Sequence, residues 1–243
     1  MKMKFFVVSS VVVLLSFVFS FSAFAANEED TASKIALALV SGRAIVAQSQ
    51  ELINDASKGD KGLTPDVFVD KMAADYKTSA GIDLKTIKPD TELHKLLLAF
   101  VESSKEVLAE AQEIINKEGM AFKGFIPAVY GKKVGDKFTQ KTGLRLKQTS
   151  DKYRNAANKP DEFEAKAIAK FMESGYTKGK GYGEFVDMGG KKVYRYVQPL
   201  YIGKACLKCH GDPKGEKDIA GREKEGYKEG DVRGGISVIV PVK

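Results

Sequence analysis

The sequence predicts an α+β fold, with helices first and a small antiparallel sheet last. Three observations lead there. Apolar residues recur at helical spacing from Ile35 through Phe138. After Leu144 the texture changes to short runs rich in Val, Ile, Tyr and Phe, bounded by glycines and loop residues. The composition is that of a globular chain: 243 residues, 43% hydrophobic and 29% charged, which excludes disordered and fibrous classes. Two cysteines exclude a disulfide-stapled scaffold, and two histidines leave few designs for a His-based metal site.

The elements follow in order. Asn27–Asp30 is a polar lead-in, after which Ile35, Leu39, Ile45, Val46, Leu52 and Ile53 space a helix up to Asp55. Thr64-Pro65-Asp66 reads as an N-cap with proline at the first helical position, and Phe68, Met72 and Tyr76 share one face of the helix that follows. Leu93, Leu97, Phe100, Val107, Leu108, Ala111, Ile114 and Ile115 form one stripe over about six turns. Lys117-Glu118-Gly119 is its predicted end. Phe125–Thr142 is a further helix closed by Gly143. Leu144–Thr149 alternates as a strand, and Asp161–Ser174 is a helix capped by Asn158 or Asp161. Tyr182–Asp187, Lys192–Ile202 and Gly234–Val242 read as antiparallel strands, with Met188-Gly189-Gly190 turning between the first two. The glycine-rich stretch Gly175–Gly183 has no phosphate-loop spacing and reads as a flexible loop.

Residues 1–25 read as a secretory signal peptide. Lys2 and Lys4 form a positive n-region, Phe5–Phe21 is apolar apart from serines, and Ala23-Phe24-Ala25 supplies a small-x-small cleavage site. The alternative, an uncleaved anchor, has nearly the length but not the cleavage motif on its side. No second run of spanning length follows, so the expected product is residues 26–243, exported or periplasmic. It forms one domain with a helical N-terminal extension and no membrane span. Its net charge falls from +7 to +5 with the loss of Lys2 and Lys4. Nucleic acid is not an expected partner of an exported, mildly basic chain.

Both cysteines fall in Cys206-Leu207-Lys208-Cys209-His210, the C-x-x-C-H attachment motif of a c-type haem. Each thiol adds to one haem vinyl group, and the adjacent histidine is then placed as the proximal iron ligand. The expectation is one covalent haem c held by Cys206 and Cys209, with His210 on iron and its other ring nitrogen donating to a backbone carbonyl or water. A haem-free redox disulfide also uses Cys-x-x-Cys, and zinc would need two more ligands. Arg154 is a candidate propionate contact. Met120 and His94 are the candidate distal ligands, alongside water or an open position. Two strong protein ligands favour electron transfer, whereas an open position admits a diatomic gas. Tyr194 and Tyr196 share a strand face that either lines the cofactor or packs as ordinary sheet core.

Several segments together resemble an exported c-haem PAS-like sensor-domain family, long catalogued as a domain of unknown function. They are the string Gln148–Glu164 (QTSDKYRNAANKPDEFE), Gly124-Phe125-Ile126-Pro127-Ala128, Gln198-Pro199-Leu200 before Cys-x-x-Cys-His-Gly, and Gly234–Val238. The likeness runs from about Ala32 to the C-terminus. It implies a PAS-like antiparallel sheet with flanking helices, thioethers at Cys206 and Cys209, and His210 as proximal ligand. Members often serve as extracytoplasmic sensors of kinases or chemotaxis receptors, and some exist alone. Part of the family uses an upstream cysteine as sixth ligand, but this chain has no third cysteine.

The expected function is therefore redox or diatomic-gas sensing through haem iron, with a signalling receptor or redox protein as partner and a homodimer as an admissible assembly. A periplasmic electron carrier is the first alternative and a haem-free Cys-x-x-Cys redox protein the second. No nucleophile–base pair or carboxylate dyad marks an enzyme.

Overall fold

The computed structural model describes the backbone of residues 8–242 and the side chains of residues 27–242. The signal-peptide assignment falls largely beyond them: residues 1–7 lie outside the described residues, and of 8–25 only the backbone is described. The helices are α1 (Val8–Gln48), α2 (Gln50–Ile53), α3 (Pro65–Ala80), α4 (Glu92–Ile115), α5 (Pro127–Thr142), α6 (Glu162–Phe171) and α7 (Leu207–His210). The strands are β1 (Arg145–Thr149), β2 (Tyr182–Asp187), β3 (Lys192–Tyr201) and β4 (Val232–Pro241). Among the described residues they form one antiparallel sheet in the order β1-β4-β3-β2. No helix among the described residues is long and apolar enough to cross a membrane.

The architecture is three-layered. One sheet face, with Tyr194, Tyr196, Ile236, Val238 and Leu146, packs into the main core beneath α1, α3, α4 and α5. The other face meets α6 through Val197, Phe163, Ala167 and Phe171. Tyr194 and Tyr196 are thus sheet core. Gly183 of β2 and Gly181 just before it lie against the Tyr194 and Tyr196 rings, where any side chain would overlap.

The predicted N-terminal extension is no appendage. Residues 27–48 of α1 bury Ala32, Ile35, Ala36, Leu39 and Val46 and lie against β3, β4, α3 and α5. Small residues allow that closeness: a Cβ on Gly42 would overlap the Tyr130 ring. The Tyr130 hydroxyl is 2.9 Å from Ser104 Oγ and 3.7 Å from Met72 Sδ, which makes Met72 a core filler.

Local chemistry sets the helix ends. The Val67 N–H donates to the Thr64 hydroxyl, as the cap reading requires. The α5 helix begins at Pro127 rather than Phe125, because a residue before proline is driven out of the helical region; Ile126 sits at φ −113°, ψ 165°. The α4 helix stops at Ile115, short of Gly119. Its cap is Asn116, whose side chain accepts from the Lys61 N–H, while Gly119 (φ 71°) turns the chain so that its N–H reaches the Ala56 carbonyl. The α6 helix ends at Phe171, three residues before the predicted Ser174.

Of the two predicted α6 caps, Asp161 is the one used, in a full capping box. The Glu164 N–H donates to Asp161 Oδ1 at 3.0 Å and the Asp161 N–H donates to Glu164 Oε2 at 3.1 Å. Arg195 pairs with Asp161 at 2.7 Å and Lys147 with the buried Glu164 at 2.7 Å, so the box ties α6 to β3 and β1. Replacing Asp161 by Ala is expected to cost about 1–2 kcal/mol in denaturant unfolding. Asp161→Asn, which keeps the acceptor, should recover most of it; equal losses would refute the cap as the cause.

Candidate functional site

Past Tyr201 the chain enters a 3₁₀ turn, Lys204–Cys206, continued by the single turn of α7. Cys206 and Cys209 therefore stand on one turn with His210 directly after. Both thiols are free and half-buried, and burial pushes the Cys209 thiol pKa up. The Gly211 N–H closes the turn on the Leu207 carbonyl at 2.9 Å. A Cβ at Gly211 would lie 2.7 Å from that oxygen, so the residue after the histidine must be small. The motif does open a helix, as a redox disulfide would, but a one-turn helix between antiparallel strands rather than a βαβ crossover.

Residues 211–231 leave the sheet and return. The neck is closed by Gly230 N–H to the Ile202 carbonyl (2.8 Å) and Ile202 N–H to the Asp231 carbonyl (2.9 Å). On the way back the Tyr227 N–H donates to the His210 carbonyl at 2.9 Å, which brings Glu225 beside the imidazole. His210 Nδ1 lies 2.8 Å from Glu225 Oε2. The expected backbone carbonyl or water is replaced by a carboxylate.

This contact assigns the tautomer. Burial pulls the His210 pKa below its usual value, with Arg233 and Arg154 reinforcing it against the Glu225 bond. Burial opposes ionisation of Glu225, but the bonds from Arg154 and His210 outweigh it and hold that carboxyl below the usual range. An ionised carboxylate only accepts, so the neutral imidazole carries its proton on Nδ1 and presents a bare Nε2.

Arg154 organises the loop. Its Nε donates to Glu225 Oε1 at 2.6 Å and its Nη2 to Glu225 Oε2 at 2.9 Å, a bidentate pair. Nη1 reaches Asp218 at 2.6 Å, and Nη2 also reaches the carbonyls of Cys209 at 2.8 Å and Glu223 at 2.9 Å. All three guanidinium nitrogens are engaged by protein acceptors. Arg154, the candidate propionate contact, is in the protein itself a clamp joining the β1–α6 loop to the motif and to the returning chain. The string that carries Arg154 is a structural device throughout: the Ser150 N–H donates to the Asn158 carbonyl, Asn155 caps a 3₁₀ turn, and Asp161 caps α6.

Asp218 gives the clamp a pH dependence. Burial raises its pKa, but donors from the Arg222 and Ala220 backbone and from Arg154 more than offset this, leaving it below the ordinary value. A depressed folded pKa contributes stability above the unfolded value, about 3.9, and loses it as pH falls through the folded value. Asp218→Asn should thus destabilise the protein at neutral pH and flatten its acid unfolding below about pH 4. An unchanged acid limb would refute the assignment.

The two distal candidates part company. Glu110, Glu106 and Glu102 of α4 pair in turn with Lys133, Lys137 and Lys141 of α5, so these helices run antiparallel. The N-terminal end of α5 lies at the motif: Arg43 donates to the Pro127 carbonyl at 3.1 Å, α1 touches the 3₁₀ turn, and Lys208 pairs with Glu51. His94, in the first turn of α4, therefore lies at the opposite end of a helix about 36 Å long. Its Nδ1 is held by Asp90 at 2.7 Å. Met120 lies at the motif's end, half-buried in a loop pinned by Asn54 and Ala56 beyond α2. Met172 and Met188 are exposed.

Glu225, Asp218 and Arg233 were not legible as site residues. Glu225 stands fifteen residues beyond His210 in a polar run with nothing local to distinguish it. Arg233 lies over the Tyr227 ring at 5.6 Å and bonds Ser150. Arg43, bonded to Gln148 two residues earlier on β1, has its pKa lowered to about 10 by burial and by Arg233. Among the described residues no group of three or more His, Cys, Asp or Glu is placed to hold a bare metal ion. The donors present do fit a covalent haem: two free thiols on one turn, and a neighbouring imidazole whose only unengaged nitrogen is Nε2.

No curated protein matches the chain in sequence. Among solved structures, the crystal structure of the cyanobacterial heme-protein Tll0287 is similar at 20% identity, covering 64% of this chain and 97% of that one, with a TM-score of 0.42. The model of the Tll0287-like family matches residues 26–241. With that match spanning nearly the whole sequence, the chain belongs to the Tll0287-like family.

Proposed function

We propose that this chain is an exported monohaem c protein with a PAS-like fold, acting in redox or diatomic-gas sensing and not as an enzyme. The observation that carries the reading is the state of His210: Glu225 occupies Nδ1, so the one nitrogen left beside the two free thiols is the one an iron ligand needs. Cys206 and Cys209 would form the thioethers and His210 the proximal bond. The family's namesake is a heme-protein, and the family match begins at residue 26, directly after the predicted cleavage point. Haem, when bound, supplies a one-electron couple and a position for a sixth ligand. The chain's own part is to hold it on α7, orient the imidazole through Glu225, and brace that carboxylate with Arg154.

Protein matured with the c-haem machinery should carry the mass of one haem and give the two-thioether pyridine haemochrome spectrum. A bare polypeptide mass would overturn the proposal. Carbon monoxide separates the roles. Rapid binding to the ferrous protein with no ligand displaced supports gas sensing, and a methionine–iron charge-transfer band in the ferric protein supports an electron carrier ligated by Met120.

A further inference from the structure

We infer that Glu225 is a positioning residue that drives the proximal histidine toward imidazolate and so holds the haem couple at low potential. The inference rests on the haem reading above. The acceptor on His210 Nδ1 is a carboxylate at 2.8 Å, not a neutral carbonyl. It cannot swing away, because Arg154 grips both of its oxygens, at 2.6 and 2.9 Å, and is itself anchored on Asp218 and the Cys209 carbonyl. A carboxylate draws the Nδ1 proton toward itself and leaves more electron density on Nε2. A stronger Nε2 donor stabilises the more highly charged ferric state over the ferrous one. Arg154 and Arg233, the latter 3.9 Å from Glu225 Oε1, offset part of the carboxylate's charge. With that offset, the expected effect is about tenfold in the ratio of ferric to ferrous stabilisation, the low end for an outer-shell partner of a metal-ligating histidine.

The test uses full-length, matured protein whose mass already shows one haem, so that failure of haem attachment is seen separately from failure of this inference. Glu225→Gln keeps the shape and a neutral acceptor. Its midpoint potential is expected to rise by a tenfold change in equilibrium constant, about 59 mV for one electron. Asp218→Asn also loosens Arg154 but does not touch His210, and its potential should move much less. If Glu225→Gln leaves the potential in place, or shifts it no more than Asp218→Asn, the inference fails. Should Glu225→Gln not yield holoprotein, the unaltered protein decides. The iron–histidine stretch of its five-coordinate ferrous form, obtained by photolysis of carbon monoxide where a sixth ligand binds, should lie at the high frequency of a carboxylate-supported histidine. A frequency typical of a neutral imidazole bonded to a carbonyl overturns the inference.

Discussion

Protein in which Cys206 and Cys209 are both replaced by Ala should emerge from the c-haem maturation pathway with no covalent haem: the mass of the bare chain, and all pigment extractable by acidified organic solvent. Each single variant should keep one thioether and shift its haemochrome band to the one-vinyl position. The magnitude is all or none, because the bonds are covalent and each requires its own sulfur. The fold should survive, since both thiols are half-buried, Cys206 at the end of the 3₁₀ turn and Cys209 in α7, and neither belongs to the buried clusters. Covalent haem retained by the double variant would end the attachment assignment. A double variant that unfolds outright would show the thiols to be structural rather than functional.

The second large effect lies in the backbone beside the site. Gly234 has φ 144°, a region that side chains rarely adopt, and a Cβ there would overlap the Thr149 carbonyl oxygen and the Ser150 backbone. The neighbours are backbone in the adjacent strand, where β1 pairs with β4, so they yield only by breaking the ladder. Strain and overlap together should make Gly234→Ala cost about 3 kcal/mol or more. The matched comparison is Gly62→Ala. It has φ 62° with nothing within 4 Å of the added carbon, so it feels the backbone term alone. Urea unfolding of the two variants separates the contributions. If Gly234→Ala costs no more than Gly62→Ala, close approach of β1 is not the reason for this glycine. Because Arg233 bonds Ser150 across the same junction, Gly234→Ala should also loosen the loop that carries Glu225.

Much of the fold could be read from local pattern. The cap at Thr64, the apolar stripe of α4, Gly143 at the end of α5 (φ 74°), the β2–β3 turn and the class of fold follow from short-range rules of periodicity, capping and turn chemistry. Two features lie beyond those rules. Helix ends moved by a few residues where a partner distant in sequence decided them: Asn116 stops α4 with Lys61 on its side chain, although Gly119 offered the better local signal. And α1, which patterned as an extension, is the helix laid across the sheet, because its small and apolar face fits β3, β4 and Tyr130.

The site divides along the same line. C-x-x-C-H is chemistry within five consecutive residues, so chain connectivity alone delivers the two thiols and the imidazole to one turn. The partner of that imidazole is another matter. A hydrogen-bonding group can be supplied by any segment the fold brings past it, and only the returning loop, hung on Tyr227, shows that it is Glu225. Arg154 stands out in the sequence by its charge alone; its acceptors, Glu225, Asp218 and two carbonyls, meet it only once the β1–α6 loop folds over the motif. His94 and Met120 are equivalent as ligand types, and only the antiparallel course of α4 and α5 separates them, with one at the far end and the other at the motif's end of the bundle. Residue type and spacing specify bonds made within a turn of chain. Bonds made across 55 to 71 residues, as Arg154 makes them, exist only once the chain has packed.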